Sequence, residues 1–304
     1  MRFSIFQESR KGTRKANQDR TSYAYTRDAL LMVVADGMGG HLHGEVASQI
    51  AVQLLTEAFQ REAKPMLPDP PVFLQKSILD AHFALGDYAK ARNLVESPRT
   101  TCVACVVQDS TAYWAHAGDS RLYHVREGRI NGQTRDHSRV QMLVDQGRVR
   151  EEAVAAHPDR NKIFNCVGAS ARPQIELSAP TPLHRDDTLI LCSDGLWGPL
   201  TGKLITAILM KSTLMKAVPE LLDLAELRAG PDCDNLSVVA MNWEGARRGP
   251  AGEVSTQTLA LDGVSTQLGD FSKADNSDLT DQEIERAIQE IREAIRKHMP
   301  QKKP

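Results

Sequence analysis

Strands and helices come in blocks along this chain, and that order constrains its fold more than any other feature. Residues 2–7 and 21–25 have strand character, and 30–35 is a wholly apolar strand that stops abruptly at Asp36-Gly37. From Gly44 to Ala58, Val46, Ile50, Leu54, Leu55 and Ala58 fall at helical spacing. A proline-rich loop over 64–71 separates this helix from a second that reaches about residue 92. Closely spaced strands follow at 100–108, 112–117 and 121–125, then one at 187–192, two helical stretches at 201–211 and 214–229, and a last strand at 236–241. Regular βαβ alternation is missing. The pattern argues against a doubly wound parallel sheet and for an α+β layered domain.

Four aspartates occupy the same kind of place, where a strand gives way to a turn: Asp36 before Gly37, Asp119 after Gly118, Asp194 before Gly195, and Asp234 before Asn235. Asp19 lies nearer the start, in Asn17-Gln18-Asp19. Strand ends project side chains from a rigid scaffold, and an adjoining glycine lets the backbone turn sharply and approach a ligand. Taken singly, each pair reads as an ordinary turn. Brought together, the carboxylates repel and resist ionisation unless cations neutralise them. Oxygen-only ligation selects hard ions, Mg²⁺ or Mn²⁺, over zinc.

The formal net charge of −2 gives no reason to expect nucleic acid or an anionic membrane as partner. No stretch approaches the ~20 apolar residues of a membrane span, and the N-terminus lacks the long apolar run of a signal peptide. The five cysteines are scattered through apolar stretches and read as reduced thiols of a cytoplasmic protein. Cys102 and Cys105 form a C-x-x-C on a strand, where residues three apart point to opposite faces. They can neither chelate one ion nor pair, and read as small core residues.

After Trp243 the composition shifts to Gly, Ser, Thr and Gln, so 1–243 reads as the catalytic domain and 244–278 as a flexible linker. Thr256, Thr258 or Thr266 in it is expected to be phosphorylated by a partner kinase and read by a phosphothreonine-binding module. Thr280-Asp281-Gln282-Glu283 then has the form of a capping box, and Ile284, Ile288, Ile291 and Ile295 make one narrow stripe over a helix at 279–298. A lone helix of that length is marginal in water, so the stripe is expected to dock on its own catalytic domain, on a partner or on a second copy.

Six motifs occur in order: Gly12-x-Arg14-x-x-Asn17-Gln18-Asp19, Ala35-Asp36-Gly37-Met38-Gly39-Gly40, Gly118-Asp119-Ser120-Arg121, Asp136-His137-Ser138, Ser193-Asp194-Gly195-Leu196-Trp197 and Asp234-Asn235-x-Ser237. With them the chain closely resembles the protein phosphatase 2C family of metal-dependent serine/threonine phosphatases, in its bacterial form, over about residues 1–243. The resemblance implies a four-layer α-β-β-α sandwich of two antiparallel sheets flanked by helix pairs, with the metal site at one end. It implies that Asp36 bridges two Mn²⁺ or Mg²⁺ ions and that the Gly37 carbonyl ligates the second. Asp194 and Asp234 then complete the shell of the first, and Asp119 helps hold a third, weaker ion. Asp19 acts through bound water, and Arg14 binds the substrate phosphate. Water activated between the two cations hydrolyses phosphoserine and phosphothreonine in proteins phosphorylated by a cognate Ser/Thr kinase. The competing reading is a weakly active pseudophosphatase, a phosphoprotein-binding scaffold that uses its C-terminal helix.

Two positions depart from that pattern. Met38 stands where some relatives carry a histidine able to protonate the leaving group, and Gln18 where an acidic residue is common. His41 and His43 form an H-x-H, but the Gly39-Gly40-His41 context is usual for the bacterial members that the chain resembles, so they are not read as a zinc pair. Residues from about 140 to 169 are expected to form a flap beside the site, basic through Arg148, Arg150, Arg160 and Lys162, with His137 in a structural role at its edge.

Overall fold

The computed structural model describes residues 1–38, 43–150, 153–154 and 157–245. The chain opens with β1 (Arg2–Arg10), β2 (Asp19–Tyr25) and β3 (Ala29–Asp36). The apolar run in β3 exists because that strand is covered on both faces. Leu31 and Val33 point to one core, whereas Leu30, Met32 and Val34 point to another. Two long helices follow, α1 (Gly44–Glu62) and α2 (Pro70–Ala91), the second started by Asp69, whose carboxylate accepts from Val72 N at 3.0 Å. Next come β4 (Cys102–Gln108), β5 (Thr111–Ala117), β6 (Arg121–Arg126), β7 (Arg129–Gln133) and a short α3 (Arg139–Asp145). The short strands β8 (Glu176–Leu177) and β9 (Thr181–Pro182) lead to β10 (Thr188–Cys192), the single turn α4 (Asp194–Trp197), α5 (Gly202–Leu209), α6 (Leu214–Ala229) and β11 (Leu236–Gly245).

One sheet runs β2-β3-β4-β5-β8, with β9 also on β5, and the other runs β1-β11-β10-β6-β7. Every pairing is antiparallel. Helices α1 and α2 bury their apolar faces against the first sheet through Val46, Ile50, Leu55, Phe59, Leu74 and Ile78. Helices α5 and α6 do the same on the second through Ile205, Ile208, Val218, Leu221 and Leu222. Between the sheets, Leu30, Met32, Val103, Leu189, Leu191, Val239 and Met241 form the third core. Three cores make four layers, the α-β-β-α sandwich expected from the resemblance.

The cysteine reading holds. Cys102 faces the helical layer and Cys105 the space between the sheets, and burial pushes the Cys102 thiol up to about 12. Two boundaries differ from expectation for a physical reason. β1 extends to Arg10 and β11 to Gly245 because they pair from Arg2 on Gly245 to Arg10 on Leu236, with one register shift after Arg2, and that ladder overrides the polar run Gln7–Arg10. The strand β7 was not expected, since Arg129-Ile130-Asn131-Gly132-Gln133 lies at a sheet edge and shows little apolar signal. Residues 244 and 245, expected to begin the linker, close β11 instead, and the rest of the linker, the C-terminal helix and the threonines 256, 258 and 266 lie outside the described residues, as does His41.

Candidate metal centre

All five predicted aspartates arrive at one end of the sandwich because antiparallel pairing puts the needed strand ends there. Asp36 closes β3 and Asp19 opens β2, and the two are direct cross-strand partners. From the second sheet, Asp194 follows β10 and Asp234 precedes β11, strands that are themselves antiparallel neighbours. Asp119 lies in the tight link between β5 and β6, where the chain crosses from one sheet to the other. Asp19 and Asp119 are buried, and Asp36, Asp194 and Asp234 are partly exposed.

The electrostatics are those of a crowd of like charges. Burial first, then the neighbouring Asp19, Asp194, Asp119 and Asp234, hold Asp36 well above the usual carboxylate range. Asp194 is raised by burial and by Asp119, Asp234 and Asp19. Burial also lifts Asp119 to about 7, with Asp136 adding to the effect and Arg121 opposing it. Asp19 is lifted to about 6, again mainly by burial, against a stabilising hydrogen bond from Ser193. Asp19 Oδ1 and Asp194 Oδ1 are buried with no hydrogen-bond partner among the described residues. Unpartnered carboxylate oxygens in an all-oxygen donor set fit hard divalent cations, as the sequence predicted.

The scaffold around these carboxylates is tightly made. Asp36 N–H donates to Thr101 Oγ1 at 3.0 Å, and Asp36 O accepts from Thr101 N and from Thr100 Oγ1, both at 2.8 Å. Gly37 can only be glycine, since a Cβ there would lie 2.2 Å from Gly44 O and 2.8 Å from Gln18 O. A Cβ at Gly195 would meet Asn235 O at 2.0 Å, so the two loops that carry Asp194 and Asp234 touch through a bare backbone. Ser193 Oγ donates to Asp19 Oδ2 at 2.6 Å and accepts from Ser237 N at 3.0 Å. Asn235 accepts from Gln18 N at 2.8 Å and donates to Lys11 O and Ala16 O, pinning the loop that carries Arg14. Trp197 Nε1 donates to Asp119 O at 3.0 Å, while Arg121 stacks on the Trp197 ring at 3.7 Å and forks onto Asp136. Ser193, Trp197 and Asn235 stand in the sequence motifs, which gave them no role of their own, and Thr101 was not singled out; its only signal was a hydroxyl at the start of an otherwise apolar strand.

Arg14 reaches the site but is engaged there: its Nη2 donates to Asp234 Oδ2 at 2.7 Å, with about half of the side chain exposed. That pair, with Asp194 and Asp36 beyond it, raises the guanidinium further above its ordinary value. Gln18 Nε2 donates to Glu45 Oε2 at 3.1 Å, which places a carboxylate next to the position where Gln18 supplies none. His43 is the residue before α1, with φ of 67°, a backbone role. Of the span expected to form the flap, the described residues hold α3 with its Ser138 cap, and isolated bridges join Ser138 to Ile163 and Thr100 to Val167. Its basic residues are not all free, for Lys162 pairs with Asp159 at 2.7 Å. Beside the aspartates, His116, His137 and Glu176 bring ligand-type atoms within 4.8 Å of one another.

A family model described as protein phosphatase 2C matches residues 7–218. The chain belongs to the protein phosphatase 2C family. It is 31% identical over 241 residues to a protein named serine/threonine phosphatase stp from Listeria innocua, covering 78% of this chain and 95% of that one. The structure resembles that of the serine/threonine phosphatase Stp1 from Staphylococcus aureus, with a TM-score of 0.74 at 31% identity, covering 81% of this chain and 96% of that one. It also resembles the catalytic domain of the phosphatase PstP in complex with two manganese ions, with a TM-score of 0.67 at 29% identity over 79% of this chain and 97% of that one. Within this protein phosphatase 2C chain, the matched span reaches from β1 into α6 and includes Asp19, Asp36, Asp119 and Asp194. Among the described residues, no helix is long and apolar enough to cross a membrane.

Proposed function

We propose that this protein is a metal-dependent protein serine/threonine phosphatase, hydrolysing phosphoserine and phosphothreonine monoesters with Mn²⁺ or Mg²⁺ as cofactor. The observation that carries this reading is the meeting of Asp19, Asp36, Asp119, Asp194 and Asp234 from both sheets in one cluster that resists ionisation without cations. Asp36, the Gly37 carbonyl, Asp194 and Asp234 would hold a pair of ions, with Asp119 beside Asp194 holding a third. Bound there, divalent cations supply charge neutralisation at phosphoryl oxygens and an acidified water.

The residues of the chain do the rest. Arg14 sits at the open rim, and rotating its guanidinium from Asp234 onto a phosphate places N–H donors on two phosphoryl oxygens. Asp19, held by Ser193, orients and accepts protons from water in the cluster. Met38 has no titratable group, so the leaving alkoxide takes its proton from solvent. Phosphate-monoester hydrolysis is among the slowest uncatalysed reactions, which is why so dense a charge arrangement is required. The physiological substrates are taken to be phosphoproteins made by a cognate Ser/Thr kinase, in the cytoplasm. The pseudophosphatase reading loses ground because every carboxylate of the expected set is in place. Hydrolysis of p-nitrophenyl phosphate and of a phosphothreonine peptide should depend on Mn²⁺ or Mg²⁺ and be lost in Asp36→Asn and Asp194→Asn. A wild-type protein inactive with both ions overturns the proposal.

A further inference from the structure

The trio of His116, His137 and Glu176 lies where the flap leaves and rejoins the sandwich. His137 N–H donates to Gly118 O at 3.0 Å, and Gly118 N–H donates back to His137 Nδ1 at 3.2 Å. On the returning side of the flap, Phe164 N–H donates to His137 O at 3.0 Å, and Asn165 Nδ2 donates to His137 Nδ1 at 2.6 Å. The Asn165 amide cannot be turned the other way, since its Nδ2 also donates to Gln174 O and its Oδ1 accepts from Gln174 N. His137 Nδ1 is therefore a lone pair accepting two N–H groups, and the single proton of the neutral ring is on Nε2, facing Glu176 Oε2 at 3.4 Å.

That proton argues against a metal. An imidazole that ligates a metal donates through its other nitrogen, whereas here the other nitrogen of His137 accepts. The rings of His116 and His137 are also stacked, 4.6 Å apart and 15° from parallel, so their in-plane lone pairs do not converge on one ion. His116 Nε2 faces Arg135 O at 2.8 Å and must carry the proton, which leaves its buried Nδ1 without a partner among the described residues.

We propose that His137 is a positioning residue, a latch whose ring, while neutral, ties Asn165 of the returning flap segment to the Gly118-Asp119 loop through the two N–H groups it accepts on Nδ1, beside backbone bonds that do not depend on its charge. Protonation would put an N–H on Nδ1, against the two N–H groups already aimed at it, and both links would break. The facing groups are Glu176 from β8 and Asp136 from its own loop, which favour the charged ring, and His116 from β5, which opposes it. Asp136 is already engaged by Arg121, and Arg135 offers only its carbonyl on this side. Burial outweighs the carboxylates and holds His137 below its ordinary value. The sign follows: the folded state binds fewer protons here than the unfolded one, so the latch is intact above the ordinary histidine range and fails as pH drops below ~6.5. Any effect on catalysis rests on the proposed role of Asp119, while the latch itself does not.

Amide hydrogen exchange of the full chain in EDTA tests the latch without metal or activity. After correction for intrinsic rates, residues 157–169 of the wild type should exchange several-fold faster, up to about tenfold, at about pH 5.5 than at about pH 7.5. His137→Asn keeps an acceptor near Nδ1 and cannot be protonated, and should lack that acid-side acceleration, leaving only the opposite trend set by the metal-free aspartates. Asn165→Ala should deprotect the segment at both pH values. A response equal in His137→Asn and wild type, or none in wild type, overturns the latch. So does unchanged protection in Asn165→Ala, or, once EDTA has been removed by desalting, one equivalent of Zn²⁺ that protects the flap of the wild type but not that of His116→Ala.

Discussion

Asp19 and Asp36 stand directly opposite one another across the β2–β3 pair, at the last rung of that ladder. Like charges so placed destabilise a sheet: burial first and Asp19 next hold Asp36 well above the usual carboxylate range, while Asp19 itself is lifted mainly by burial. A cluster of carboxylates suited to cations is therefore a weak point of the metal-free fold.

Metal removal should expose that weakness. Between the unfolded carboxylate value of ~3.9 and the folded values of about 6 for Asp19 and about 7 for Asp119, the folded state holds more protons than the unfolded. Stability of the metal-free protein is thus expected to fall as pH rises from about 4 to about 7, and Mn²⁺ should restore it. Asp36→Asn should raise metal-free stability by about 1–2 kcal/mol and abolish most of the Mn²⁺-induced rise in Tm. Thermal melts in EDTA and in Mn²⁺ read both quantities.

Ser193→Ala removes the hydroxyl that donates to Asp19 Oδ2 and leaves Ser237 N–H without its acceptor in a buried place. A cost of about 1–3 kcal/mol is expected from urea unfolding. Losing a donor to its charged form raises Asp19 further, so the acid limb of the kcat/KM profile should move to higher pH. A profile that does not move would show that Asp19 ionisation does not control activity.

Gly37→Ala should be worse than its size suggests. The added Cβ has no flexible neighbour to displace, since Gly44 O at 2.2 Å and Gln18 O at 2.8 Å are both backbone. Destabilisation above about 2 kcal/mol is expected, together with weaker Mn²⁺ binding by calorimetry, because α1 must withdraw from the turn that follows Asp36.

At the opposite end of the same strands, Asp187 is buried between Arg126, which forks onto it at 2.8 and 2.7 Å, and His124 at 2.8 Å. Although burial works the other way, these partners hold its carboxyl below the usual range. The stabilisation is present above the unfolded value of ~3.9 and is lost as pH falls through the lower folded one. Asp187→Ala strands both partners and should cost about 3–5 kcal/mol in urea, with kcat unchanged at temperatures where the variant is folded.

Much of this was written locally. The six apolar residues before Asp36 announce a strand covered on both faces, and period two correctly separates Cys102 from Cys105. The supports of the site were not legible in that way. Ser193 and Asp19 are 174 positions apart on different sheets, and Thr101 and Asp36 are 65 apart on neighbouring strands, so the first bond exists only once the sheets stack and the second only once β3 and β4 pair. The edge strand β7 escaped notice because an edge needs little apolar surface.

By itself, then, the sequence determined which residues could be ligands: carboxylates at strand ends, beside glycines that admit close backbone approach. Only the tertiary structure decided that Asp19 and Asp36 meet face to face, that Arg14 rests on Asp234, and that a neutral His137 ties the flap to the Asp119 loop. Local propensity acts over a few residues. Charge repulsion, burial and hydrogen-bond direction take their values only when distant segments are brought within a few ångströms.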